Sequence, residues 1–355
     1  MKTLVFVGNS KKGGISIATV DKSKLVFSNP ALPEEGIAPL AVHPNRKYLY
    51  AAVRSRTPNE IVTFAIDADG QALHPVSSIP VPVTVTYLTV DPSGLNLLAV
   101  SYADGEILVY ALSPNGPAQP NPLERLHPER NPHGIHCALA GNHVFVPALG
   151  HDKILQYTFD PASGRLAPTS PPALPFPKNA GPRHLAFSPD RRHVYALTEL
   201  SGTIATLGID PATGALTHLG TTGILPPERA LPPSSYTPPG NANAGGNSPT
   251  PVMWAADIGI TPDGNFLYAS ERTNSTISCF ARDQYSGRLD FVSIAETEHQ
   301  PRSFAVDAWG RRLFVAGEKA NTLAVLAIDQ KTGALSPLDR HPVGDTPSWV
   351  ATITC

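Results

Sequence analysis

The stretch WAADIGITPDGNFLYASE, residues 254–271, decides the fold because its second half recurs along the chain in variant form. Each copy has an apolar residue, one variable position, Pro or a substitute, several polar residues and then a β-rich run. The other copies are VHPNRKYLYAAV (42–53), VDPSGLNLLAVS (90–101), FSPDRRHVYALT (187–198) and VDAWGRRLFVAG (306–317), with a shortened copy ALAGNHVFVPAL (138–149). Their third positions are 48, 48, 49, 73 and 46 residues apart. The chain therefore repeats one structural unit of nearly constant length.

A second pattern, Asp-x-x-x-Gly-x-Leu, follows the first with the same period. It occurs as DPASGRL (160–166), DPATGAL (210–216), DQYSGRL (283–289) and DQKTGAL (329–335), with variants DADGQAL (67–73), DKSKL (21–25) and SPNGPAQPNPL (113–123). Asp starts such turns by bonding its own backbone, and Gly supplies the positive φ of the return. Seven such hairpins predict an all-β, seven-bladed β-propeller with four antiparallel strands per blade, in a single domain over residues 1–355.

The two ends of the chain are predicted to close the ring. The run TLVFVG (3–8) has no inner strand before it, and TPSWVATI (346–353) has the pattern of an inner strand with nothing after it. Pairing them would remove two open sheet edges. The alternative, a pair of β-sandwiches, does not predict a repeat of blade length.

Composition excludes several classes of protein. The 355 residues carry 27 Lys and Arg against 29 Asp and Glu, a net charge of −2, which argues against a nucleic-acid binder that works by neutralising phosphates. The 38 prolines disfavour long helices. Three cysteines without a C-x-x-C spacing predict neither a disulfide framework nor a zinc site. No apolar run is long enough for a membrane span or a signal-peptide core, so we expect a cytoplasmic protein without membrane partners.

Two proline-rich segments interrupt the repeat. Residues 224–251 form an insertion rich in Pro, Gly, Asn and Ser. We expect a mobile loop on one rim there, with a flap over the mouth as the alternative. Residues 168–182 are predicted to be a rigid crossover between blades.

Ligands of propellers bind where inner strands meet at one mouth of the central channel, so equivalent positions were compared around the ring. Six residues before each third position lie Ala38, Thr86, Arg183, Ala256 and Arg302, to which we add His136 for the shortened copy and Ser348 for the last blade. Near the end of the second strands lie Arg54, Tyr102, Leu149, Glu199, Arg272 and Glu318. The charged members predict a site for a small anionic molecule, because guanidinium groups suit phosphate and carboxylate. The alternative is a set of salt bridges between blades.

Metal and nucleophile chemistry have weaker support. The spacing of His127, His133 and His136 matches no strong zinc pattern, and 133 and 136 would point to opposite faces of a strand. We therefore predict no metal and no cofactor. A role of His136 as general base or hydrogen-bond donor is favoured over a metal role, because its ordinary pKa suits proton transfer near neutral pH. Cys137 is predicted to lie in the core.

Four segments resemble one known family: GPRHLAFSPDRRHVYALTEL (181–200), WAADIGITPDGNFLYASERTNSTI (254–277), QPRSFAVDAWGRRLFVAGEK (300–319) and VGDTPSWV (343–350). They are similar to the seven-bladed β-propeller lactonases, which include bacterial 6-phosphogluconolactonases of the cycloisomerase-2 type and fungal carboxymuconate lactonizing enzymes. The resemblance covers essentially the whole chain. It implies that His136, Arg183, Glu199 and Arg272 are catalytic.

The resemblance implies hydrolysis of a sugar lactone, most plausibly 6-phospho-D-glucono-1,5-lactone. His136 or Glu199 would activate water, Arg183 or Arg272 would stabilise the oxyanion, and Arg54, Arg302 and Glu318 would bind the substrate. The alternatives are another aldonolactone or a carboxymuconate as substrate, and a propeller that is a binding scaffold without catalytic activity. We expect a monomer whose partner is the small anionic lactone.

Overall fold

The computed structural model describes residues 2–21, 24–31, 35–67, 70, 72–128, 131–138, 142–238 and 250–354. Over these ranges the chain forms seven antiparallel sheets of four strands, which confirms the predicted propeller. Two three-residue 3₁₀ turns, Leu149–His151 and Pro227–Arg229, are the helical elements of these ranges. Neither has the length needed to cross a membrane.

The strands of each blade follow one another in the chain, except at the closure. Blade 1 contains β1 (Thr3–Asn9), β2 (Ile15–Asp21) and β3 (Lys24–Ala31); blade 2 contains β4 (Ile37–Val42), β5 (Tyr48–Val53), β6 (Asn59–Ile66) and β7 (Leu73–Val81); blade 3 contains β8 (Tyr87–Val90), β9 (Asn96–Ser101), β10 (Glu106–Leu112) and β11 (Ala118–Leu126); blade 4 contains β12 (His136–Cys137), β13 (His143–Ala148), β14 (Lys153–Asp160) and β15 (Arg165–Pro175); blade 5 contains β16 (Pro182–Phe187), β17 (His193–Thr198), β18 (Thr203–Ile209) and β19 (Leu216–Gly223); blade 6 contains β20 (Ala255–Ile260), β21 (Phe266–Glu271), β22 (Thr276–Arg282) and β23 (Leu289–Glu296); blade 7 contains β24 (Pro301–Val306), β25 (Arg312–Gly317), β26 (Thr322–Ile328) and β27 (Leu335–Pro342), and β28 (Pro347–Thr354) completes blade 1.

The second strand of a blade is buried on both faces, which explains its continuous apolar sequence. In β5, Tyr50 and Ala52 pack in the core between blades 2 and 3. Leu49, Ala51 and Val53 point the other way, into the core between blades 1 and 2. Because side chains alternate along a strand, one strand supplies both neighbouring cores. The hydrophobic core is thus a ring of layers between blades.

The ring closes as predicted from the chain ends. Strand β28 pairs antiparallel with β1, with Val5 opposite Thr352 and Phe6 opposite Ala351. The sheet order is β28-β1-β2-β3, so the innermost strand of blade 1 comes from the C-terminal end of the chain. This pairing covers the inner edge of β1 and joins the chain ends by backbone hydrogen bonds.

The two proline-rich segments have different outcomes. Most of 168–182 is not a crossover, because β15 extends to Pro175 and pairs with β14 as an outer strand. Residues 224–238 of the insertion bond to the propeller through their backbone, for example from Ser234 N to Leu200 O at 2.9 Å, and the mobility of this loop stays a prediction. Residues 239–249, with parts of the hairpins at 21–25 and 67–73 and of the turn in 138–149, lie outside the described residues.

Candidate active site

Two adjoining cavities of about 320 and 170 Å³ open at one mouth of the channel. Both are lined by Arg54, Thr86, His133 and Arg302. The inner strands and the ends of the second strands supply these residues, as the repeat comparison predicts. Of the predicted site residues, Glu199 and Arg272 line the larger cavity, and Arg183 and Glu318 line the smaller one. The structure thus brings six predicted charged residues to one place.

Glu199, just after β17, joins two of the arginines. Its Oε2 lies 2.7 Å from Arg183 Nε and 3.1 Å from Arg272 Nη2. Both guanidinium groups are almost completely buried. Each also donates to a backbone carbonyl of the inner strand of blade 6, Arg183 to Ala256 O and Arg272 to Ala255 O. Their positions are therefore set by contacts from two blades.

Trp254 contacts both Arg272 and Glu199. The Arg272 guanidinium carbon lies 3.6 Å from the centre of a Trp254 ring, a cation–π contact. Trp254 Nε1 also donates to Glu199 Oε1 at 3.2 Å. Both oxygens of the Glu199 carboxylate therefore have partners. The arrangement holds Arg272 flat against an indole at the cavity wall.

The other two arginines are held by fewer opposite charges. Arg54 Nε donates to Val85 O at 2.9 Å. Arg302 Nη1 lies 3.6 Å from Glu318 Oε1, and its side chain is 28% exposed. These two side chains line both cavities and leave donor groups for a ligand. A planar guanidinium with unused donors suits a phosphate group.

The charges are unbalanced in favour of an anion. The two cavities are lined by four guanidinium groups and two carboxylates, and the carboxylate of Asp257, which acts on Arg183 from behind the smaller cavity, reduces the local excess to one positive charge. Burial lowers the pKa of Arg272 to about 9 and that of Arg54 to about 10, aided by the charge of Arg302, yet both remain protonated at neutral pH. Burial acts to raise the pKa of Glu199, but Arg272, Arg183 and Arg302 outweigh it, so its pKa is lowered. Glu199 is therefore a carboxylate.

Below the arginines, His184 and Asp257 form a hydrogen-bonded pair. His184 Nδ1 lies 2.8 Å from Asp257 Oδ1, and Phe304 N donates to Asp257 Oδ2 at 3.2 Å. Burial, with the charge of Arg183, lowers the pKa of His184 to about 4. His184 is thus neutral, donates its Nδ1 proton to the carboxylate and lies against Arg183 Nη1. Neither member of this pair was among the predicted site residues.

The histidine at the mouth is His133, whereas His136 lines neither cavity. The expectation that 133 and 136 point apart within a strand was wrong, because β12 is only two residues long and both rings approach His184, at 5.2 and 6.1 Å between centroids. Counting six residues back in the shortened copy leads to Gly134, next to His133. A Cβ at Gly134 would lie 2.6 Å from His136 Nε2, so His136 packs behind the cavity wall.

The two imidazoles differ in their surroundings. Burial lowers the pKa of His136 to about 3, and His184, which becomes charged only below about pH 4, adds to this shift. Burial, then the charges of Arg183 and His184, hold the pKa of His133 well below its usual value. His133 is therefore neutral in the free protein, and its buried Nδ1 has no hydrogen-bond partner among the described residues. Over the same ranges, no three His, Cys, Asp or Glu side chains are grouped to hold a metal ion.

Cys137 and His127 lie outside the site. Cys137 packs against the core between blades 3 and 4, and burial raises the pKa of its thiol. It is therefore a protonated core residue, as expected from its position after His136. His127 is exposed and lies 3.5 Å from Glu106 on the outer strands of blade 3.

A family model for the seven-bladed β-propeller lactonases matches residues 4–352. The chain belongs to this lactonase family. Relatives include 6-phosphogluconolactonases of Sodalis glossinidius, 34% identical, and Serratia proteamaculans, 31% identical. In both cases the alignment covers 99% of this lactonase and 99% of the relative.

Solved structures share the architecture of this lactonase. The periplasmic gluconolactonase of Pseudomonas aeruginosa superposes with a TM-score of 0.86 at 23% identity, covering 100% of this chain and 99% of that one. A protein from Lactobacillus plantarum gives a TM-score of 0.85 at 25% identity and full coverage of both chains. These likenesses support the seven-bladed fold.

Several cavity residues of this lactonase were not predicted from the sequence. The six-residue spacing in the shortened copy leads to Gly134, one position after His133, so the spacing indicates the neighbourhood of His133 and not the residue itself. Trp254 lines the larger cavity, and Asp257 pairs with His184 behind the smaller one; both stand in the WAADI run, which carries the family resemblance but has no predicted role in the site. Residues 234–237 belong to the insertion, whose sequence follows no repeat, and only the folded chain shows that they line the larger cavity.

Proposed function

We propose that this lactonase hydrolyses 6-phospho-D-glucono-1,5-lactone to 6-phosphogluconate. The observation that carries the proposal is the set of four guanidinium groups that line the mouth and outnumber the carboxylates near them. A phosphate monoester carries about −1.5 to −2 charge near neutral pH, which suits this excess of positive charge. The names of the full-length relatives support the same substrate.

The arginines divide into two pairs with different tasks. Arg183 and Arg272 are held by Glu199 and by backbone carbonyls. Their side chains therefore need not move when negative charge develops on the substrate. In the proposed mechanism they stabilise the oxyanion of the tetrahedral intermediate. Arg54 and Arg302 have donors to spare and would hold the phosphate. Glu318 positions Arg302.

Water attack requires a proton acceptor at the same mouth. Glu199 has partners on both oxygens and a lowered pKa, so it is a weak candidate. His133 is neutral, lines both cavities and is the better candidate. A bound phosphate would offset the charges of Arg183, Arg302 and Arg272, which raises the pKa of His133 in the complex. His136, behind His133, is then a supporting residue.

The proposed reaction balances without a further reactant. Water transfers a proton to His133 as its oxygen attacks C1 of the lactone. The carbonyl electrons move to the oxygen beside Arg183 and Arg272. The intermediate collapses by breaking the bond between C1 and the ring oxygen, which takes the proton from His133 and becomes a hydroxyl. The other product group is a carboxylic acid, which releases its proton to solvent and becomes the carboxylate.

The test is hydrolysis by the purified protein of 6-phosphoglucono-δ-lactone and of unphosphorylated glucono-δ-lactone, each corrected for spontaneous opening. We expect a clear preference for the phosphorylated substrate in kcat/KM. Arg302→Ala should reduce that preference, because it removes a phosphate donor. Arg288→Ala is the matched control, since Arg288 is exposed and pairs with Asp290 away from the mouth. Absence of acceleration over the blank would refute the proposal.

A further inference from the structure

The segment 234–237 of the insertion lies at the larger cavity and presents hydroxyl groups from Ser234, Ser235, Tyr236 and Thr237. We propose that this segment recognises the ring hydroxyls of a polyhydroxylated lactone and so sets specificity within the site. The inference rests on the proposed function. It concerns the ring hydroxyls of the substrate, which the arginines are not proposed to bind.

The segment is held in place on three blades. Ser234 N donates to Leu200 O at 2.9 Å, and Met253 N donates to Pro232 O at 2.9 Å, which ties the insertion to blades 5 and 6. Tyr236 Oη donates to Asn131 Oδ1, in the segment that leads into blade 4. Backbone hydrogen bonds of this kind fix the position of neighbouring side chains. The segment is therefore a wall of the site.

The contact with blade 4 is close and depends on a glycine. A Cβ at Gly150 would lie 2.6 Å from Asn131 Oδ1 and 3.0 Å from Tyr236 Cε2. Asn131 Nδ2 also donates to the carbonyl of Tyr102 at 2.8 Å, and Tyr102 lines the same cavity. Tyr236 is thus held by the side-chain amide of Asn131, which is itself hydrogen-bonded to Tyr102 at another part of the cavity wall.

Ser234 lines the larger cavity, and its hydroxyl is unpaired in the described part of the chain. Its Oγ is buried and makes no hydrogen bond to any described residue. Buried polar atoms are normally paired, because leaving one unpaired costs about 1–3 kcal/mol. A serine hydroxyl both donates and accepts, as does a sugar hydroxyl. The charged residues of the site suit the phosphate and the oxyanion, so the neutral hydroxyls of 234–237 fit the remaining polar groups of the ring.

A site built this way discriminates against analogues that lack the hydroxyl, because its own polar group is then left unpaired. The test compares 6-phosphogluconolactone with phosphorylated lactones deoxygenated at C2, C3 or C4 in turn. We expect the wild type to prefer the parent over at least one of them. Ser234→Ala should lower that ratio of kcat/KM about threefold to tenfold, mostly through the parent substrate.

Tyr236→Phe, which loses the bond to Asn131, is a second variant expected to lower the same ratio. Glu228→Gln is the control, because Glu228 is exposed on the insertion and lines neither cavity. Melting temperatures establish that the variants are folded. An unchanged ratio in both variants, or an equal loss on all substrates, would overturn the inference.

Calorimetric binding of 6-phosphogluconate and its deoxy analogues separates the two proposals. If the wild type does not turn over the lactone, the proposed function fails, and the hydroxyl preference is still measured in the binding constants. If turnover is normal but Ser234→Ala binds parent and deoxy ligands with the wild-type ratio, the inference alone fails.

Discussion

At the scale of single residues, Arg183 contributes a guanidinium group whose orientation is fixed by its contacts. It is 2% exposed, with Glu199, His184 and the Ala256 carbonyl all within contact of its guanidinium. Several contacts around one planar group leave it a single orientation. Such a group can stabilise a developing oxyanion without moving first.

We expect Arg183→Ala to lower kcat/KM for the phosphorylated lactone by about 10²–10³-fold, the usual effect of removing one oxyanion donor. Arg183→Lys should recover only part of the loss, because an ammonium group cannot reproduce the planar set of N–H donors of a guanidinium. Steady-state kinetics with a thermal melt of each variant is the measurement. A kcat/KM equal to that of the wild type would remove Arg183 from the reaction.

The lowered pKa of His133 predicts a specific pH profile. A base must be deprotonated to act, and a lowered pKa keeps it deprotonated to more acidic pH. For the free enzyme, kcat/KM should therefore keep its value below pH 6.5 and fall only well below it. In the substrate complex the phosphate offsets the arginines, so kcat should begin to fall at higher pH than kcat/KM.

The matched measurement uses His133→Gln, which keeps hydrogen bonding but cannot titrate. Because both proteins see the same ionisation of the substrate phosphate, the difference between their profiles isolates His133. Identical profiles would assign the proton transfer to another group, with Glu199 the next candidate.

At the scale of elements, tyrosines on the second strands of blades 2, 5 and 6 each join their blade to the next one. Tyr50, Tyr195 and Tyr268 donate to the carbonyls of Gly116, Gly287 and Gly333 at 2.7–2.9 Å. Each acceptor is the glycine of the following blade's outer hairpin, in the left-handed region with φ of +76° to +94°. The two sequence patterns of the repeat are therefore in contact across every one of these three interfaces.

Tyr268→Phe tests this connection. The variant leaves the ring in place and removes one donor to a buried carbonyl, so the free energy of unfolding should fall by about 1 kcal/mol. This loss of stability is small for an unpaired buried carbonyl, because Cys279 Sγ also approaches Gly333 O, at 3.2 Å. Denaturant unfolding is the measurement, with Tyr285→Phe, 83% exposed, as the control. Equal losses in both variants would contradict the role of the bond.

For the whole molecule, stability depends on joining the first and last strands. Strand β28 supplies Val350 and Ile353 to the cores on the two sides of blade 1. It also covers the inner edge of β1. Without it, both an apolar surface and a row of unpaired backbone groups would be exposed.

We expect a chain truncated before Pro347 to lose cooperative thermal unfolding and to associate. A chain that ends at Thr354 keeps the complete β28 and is the control. Size-exclusion chromatography and calorimetric melting are the measurements. A truncated chain that is monomeric and melts at the wild-type temperature would show that closure contributes little.

The sequence by itself determined the seven blades, the closure of the ring and the positions of Arg54, Arg183, Glu199, Arg272, Arg302 and Glu318 at one mouth. The physical reason is repetition, because equal spacing places corresponding residues at equal heights around one axis. Aligning the copies of the repeat therefore shows which residues lie close together at one mouth. That method needs each copy to have the regular length.

Tertiary structure decided what departs from the repeat. His133 rather than His136 reaches the cavity because the shortened copy leaves only a two-residue strand at that point. The pair of His184 with Asp257 and the seat of Tyr236 on Asn131 join residues 73 and 105 positions apart. No local pattern specifies such contacts, because they arise only when packing brings separate blades and the insertion together.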